Sequence, residues 1–133
     1  MSPIKLLTLE SCEWLPSLGD YDKLLIQFSI SEEEQKDATK QYIVIVKLTR
    51  SLLTFWVKKN PELSDRSNIE KVLLQYATEK IRERVKNSGT ILSEEELLLD
   101  TSAQFTPPSP ATIQVPFGQP EEIVVERKFG FPS

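Results

Sequence analysis

Between Lys23 and Ile30, apolar and polar positions alternate. Leu24, Ile26, Phe28 and Ile30 share one parity, which is the period of a half-buried strand. A shorter run, Ile4-Lys5-Leu6-Leu7-Thr8-Leu9, predicts a first strand. Trp14 to Asp20 then reads as a loop punctuated by Pro16 and Gly19. The pattern changes period further on. Ile69, Val72, Leu73, Tyr76, Ala77, Ile81 and Val85 form one apolar stripe, while Gln75, Thr78, Glu79, Arg82 and Lys86 hold the other side. Ser67-Asn68-Ile69-Glu70 has the form of a capping box at its start, and Gly89 stands where a left-handed C′ residue belongs. The stripe predicts a helix over 68–88.

The stretch from Ser31 to Asn60 supports two readings. Ser31-Glu32-Glu33-Glu34 resembles a capping box, and Lys58 and Lys59 before Pro61 suit a helix end. Lys40, Lys47, Ser51, Thr54 and Lys58 recur at helical spacing, opposite Ile45, Leu52 and Trp56. These features favour one long helix over 32–59. The competitor is a strand over Gln41–Thr49, because Tyr42-Ile43-Val44-Ile45-Val46 is dense in β-branched residues. Ser93-Glu94-Glu95-Glu96 predicts a third, shorter helix reaching about Asp100.

The last third differs in composition, holding six of the nine prolines. A stiff Pro-rich connector at about 105–111 is expected to lead into a C-terminal hairpin. Its strands lie near 112–115 and 122–128, joined by the loop Pro116–Pro120. The resulting fold class is α+β in a single domain, 1–133. A small antiparallel sheet of strands near 4–9, 23–30, 112–115 and 122–128 has helices 32–59 and 68–88 packed on one face. A strand at 41–49 would enlarge the sheet without changing the class.

With 39% apolar and 27% charged residues the chain is globular in composition, and its 133 residues suffice for one core. The net charge of −4 opposes broad electrostatic capture of nucleic acid. The N-terminus lacks the pattern of a signal peptide, and no run is apolar enough to span a membrane. The single Cys12 fits a reducing compartment, and the expected location is cytoplasmic.

The chain has no histidine, which removes Ser-His-Asp and Cys-His catalysis and imidazole metal sites. Four glycines, at 19, 89, 118 and 130, cannot build a dinucleotide or P-loop motif. The runs Glu32–Glu34 and Glu94–Glu96 read as helix caps rather than Mg²⁺ ligands. Cys12, beside Glu13, reads as a small buried hydrophobe rather than a nucleophile. No cofactor, metal ligand or catalytic residue is expected.

Two sets of residues remain as binding candidates. Tyr42, Trp56, Phe129 and Phe131 are aromatic positions suited to a protein partner or a second copy, since aromatics are enriched at interfaces. Lys80, Arg82, Arg84 and Lys86 form the basic cluster, a nucleic-acid footprint in the less favoured reading. Pro107-Pro108-Ser109-Pro110 contains a P-x-x-P match, which is common by chance. The favoured function is a non-catalytic interaction, assembly or accessory protein, with homodimerisation included. The alternatives are a nucleic-acid-associated regulator, or a small carboxylate–lysine enzyme or ligand-pocket protein.

Overall fold

The computed structural model describes residues 4–16, 19–32, 35–88, 93–103 and 105–126, without the side chains of 35–38 and 88. Three long strands come first: β1 (Ile4–Leu15), β2 (Tyr21–Glu32) and β3 (Gln35–Thr49). Two helices follow, α1 (Arg50–Lys59) and α2 (Arg66–Ser88), separated by a 3₁₀ turn at Pro61–Ser64. Then come β4 (Glu94–Leu99), a 3₁₀ turn at Pro110–Thr112, and β5 (Glu121–Val124). The class is α+β.

The five strands form one sheet in the order β4-β3-β2-β1-β5. The pairs β1–β2, β2–β3 and β1–β5 are antiparallel, whereas β3–β4 is parallel, so the sheet is mixed rather than antiparallel. The cause lies in the connection. A parallel neighbour cannot be reached by a tight turn and needs a crossover of a dozen or more residues. Here α1 and α2 supply it.

Alternation decides which side of each strand is core. Leu24, Ile26 and Phe28 on β2 are fully buried, as are Val44, Val46 and Leu48 on β3, and Tyr42 is 1% exposed. On β4 the same side carries Leu97 and Leu99. On β1 a bulge at Glu10 shifts the parity, so Leu7 and Leu9 before it share a face with Cys12 and Trp14 after it. Helix α2 contributes Ile69, Val72, Leu73, Leu74, Ala77, Ile81 and Val85 to this core, and α1 contributes Leu52 and Trp56. Polar side chains of α2 also meet this face. Arg66 lies 4.4 Å over the Trp14 ring and 3.9 Å from Asp22, and Arg82 makes a two-pronged bond to Glu121.

Several sequence expectations are corrected. The long helix over 32–59 is instead strand β3 followed by the ten-residue α1, so the strand reading of Gln41–Thr49 is the right one. The helix start is Thr49, whose Oγ1 accepts from the Leu52 N–H at 3.3 Å. The start of α2 is capped by Asp65, which accepts from the Ser67 N–H at 3.0 Å, two residues upstream of the position that the Ser67–Glu70 box implies. The helix expected from Ser93 to about Asp100 is strand β4, with Glu95, Leu97 and Leu99 on one side and Glu94, Glu96 and Leu98 on the other. Ile113–Val115 is not a strand, and the expected hairpin does not form. The chain leaves the 3₁₀ turn extended and turns at Pro116–Gln119, where Gly118 adopts φ +78° as a type II turn requires. It docks on β1 through the Gly118 N–H to the Leu9 carbonyl at 2.8 Å, and β5 then pairs with β1. The expected positions of Glu33, Glu34 and Gly89 lie outside the described residues, as does the end of the 122–128 strand.

Candidate docking surface

The aromatic candidates lie in two places. Tyr42 and Trp56 belong to the buried cluster, at 1% and 3% exposure. Tyr42 stands on β3, not on a helix, and its hydroxyl donates to Glu95 Oε1 at 2.5 Å. Trp56 meets the Phe105 ring at 6.0 Å, and Phe105 meets Tyr76 at 4.9 Å, so the connector is stitched onto the helices. Phe129 and Phe131 lie outside the described residues.

The basic cluster is matched by acids from other elements. Arg82 pairs with Glu121, Arg84 with Glu95, and Lys86 with Glu126 at 3.5 Å. Lys80 sits 5.7 Å from the Tyr76 ring. These acids come from β4, β5 and the residues just after β5, all distant in sequence, which is why the cluster looks bare in the linear chain. Among the described residues no group of three or more Cys, Asp or Glu is placed to hold a metal ion. None of their helices is long and apolar enough to cross a membrane.

Several concavities flank the helices, among them one of about 360 Å³ between α1 and the start of α2, lined by Leu53, Val57, Leu63 and Ile69. A cleft of about 230 Å³ lies between α2 and residues 112–116, with Leu9, Leu74, Thr78, Ile113 and Val115 in its wall. Gln75 also lines it, and its Oε1 is buried without a hydrogen-bond partner. A groove of about 550 Å³ runs beside α1, lined by Leu52, Phe55, Trp56, Ala103 and Phe105, with no charged side chain. Glu79, Arg82 and Glu121 also line the cleft, where Arg82 is paired with Glu121.

Burial also governs the titrating groups. Cys12 is pushed up to about 12 by burial first, then by the charge and hydrogen bond of Glu70. Burial likewise raises Tyr42, with Glu95 adding to it, and raises Tyr76. These groups hold their protons more tightly when folded. Their contribution to stability is complete below their ordinary values and is lost as pH rises through the raised ones. The melting temperature is therefore expected to fall above about pH 9, where an unfolded thiol begins to ionise. Thermal melts at stepped pH check this, and Cys12→Ala should flatten the alkaline slope. An equal slope in that variant would remove Cys12 from the account.

The remaining feature is the other side of the sheet. Register places Glu13, Leu25, Ile45 and Glu96 in one row across β1, β2, β3 and β4. The next row holds Leu15, Lys23, Lys47 and Leu98, and the row on the opposite flank holds Ser11, Gln27, Ile43 and Glu94. Leu15, Leu25, Ile43 and Ile45 are half-buried, Leu98 is 51% exposed, and none of them belongs to the core cluster or the side chains packed on it. Lys47 Nζ lies 2.9 Å from Glu96 Oε2, and Lys23 is close enough to help hold the Glu96 carboxyl below its ordinary range, after Lys47. The sequence signal for this surface was present in Leu24-Leu25-Ile26 and Tyr42-Ile43-Val44-Ile45-Val46. Both runs are apolar at both parities, a pattern typical of strands buried on two faces. Comparison of this chain with protein-family models, with curated proteins and with solved structures finds no match in any of the three.

Proposed function

We propose that this chain is a non-catalytic interaction protein, an assembly or accessory component of the cytoplasm, whose working surface is the Ile45 side of the sheet. In this reading the chain is a single domain with both helices on the Tyr42 side. The observation that carries it is the pair of strands β2 and β3, apolar at both parities, with only one parity covered by the core. Leu98 is exposed and Leu25, Ile43 and Ile45 are partly so, and covering what remains open would contribute about 25 cal/mol for each Å² of apolar area. Small ligands favour concave sites, whereas this surface is a broad sheet face, so the occupant is another folded protein surface.

The histidine-free sequence supports the non-catalytic part, and so does the state of the enclosed carboxylate. Glu95 has its two oxygens engaged by Tyr42 and Arg84. The basic side of α2 is matched by acids, which weighs against the nucleic-acid alternative.

The test is capture from native lysate with the tagged wild-type chain and with an Ile43→Glu/Ile45→Glu variant, each checked for folding by circular dichroism. A partner, identified by mass spectrometry, that binds wild type directly and is lost with the folded variant supports the reading. Identical recoveries from the two baits overturn it.

A further inference from the structure

We draw no further inference here: the strongest candidate, the groove beside α1 walled by Phe55, Trp56 and Phe105, carries nothing because nothing in the structure shows what occupies it.

Discussion

Trp56→Ala is expected to destabilise the chain by about 3 to 5 kcal/mol, the usual cost of truncating a fully packed large aromatic. The side chain is 3% exposed, lies in the core cluster, and meets the Phe105 ring edge-on at 6.0 Å. Its loss opens a cavity and also unseats the connector that Phe105 anchors. Domains of this kind are stable by roughly 5 to 15 kcal/mol, so the variant loses a large share of its total. The adjacent residue is the control. Phe55 is 52% exposed, with Lys59 Nζ 5.1 Å from its ring. Phe55→Ala should cost about 0.5 kcal/mol or less, as surface changes do. Urea denaturation followed by circular dichroism measures both. The contrast also separates two roles for Trp56. A partner-binding tryptophan would lose affinity on truncation with stability unchanged, and a Trp56→Ala cost below about 1 kcal/mol would point that way.

The same contrast shows why parts of the molecule were legible in the linear chain and others were not. Helix α2 and strand β2 declare themselves because each keeps one period over its whole length and packs one side. Between them the period changes within the run: Tyr42, Val44, Val46 and Leu48 recur every second residue, then Leu52 and Trp56 every fourth. The real helix beginning at Arg50 lent its polar stripe and its lysine-rich end to the strand before it, and a single helix resulted. The true cap, Thr49, is inconspicuous beside the Ser31 run that imitates one. Strand β4 was disguised in the same way, since Ser-Glu-Glu-Glu suits a helix start as well as an alternating edge strand.

The candidate surface was partly legible too. Double-parity apolar runs in β2 and β3 announce strands covered twice, but only register shows that Leu25 stands beside Ile45 and Lys23 beside Lys47. The basic cluster misleads for the complementary reason. Its acidic partners are 39, 11 and 40 residues away, at Glu121, Glu95 and Glu126, and nothing local signals them.

Glu95 carries the second large effect. A glutamate on the core side of a strand normally costs stability through desolvation, yet here its side chain is only 11% exposed. The cost is offset by two partners, the Tyr42 hydroxyl from β3 and the Arg84 guanidinium from α2. The carboxylate therefore ties edge strand β4 to the strand beside it and to the helix above. Glu95→Ala should cost about 2 kcal/mol, since it strands a buried hydroxyl that had bonded to a charged acceptor. Arg84, half-exposed, recovers water and adds little to that figure. Tyr42→Phe should cost about 1.5 kcal/mol, because it leaves the carboxylate short of a donor. The two changes should not add. Once Glu95 is gone, removing the hydroxyl relieves an unsatisfied group, so the double variant should be more stable than the sum by about 1 kcal/mol or more. Urea denaturation of the four proteins in this cycle measures the coupling, and strict additivity would mean that the Tyr42–Glu95 bond contributes nothing to holding β4 in place.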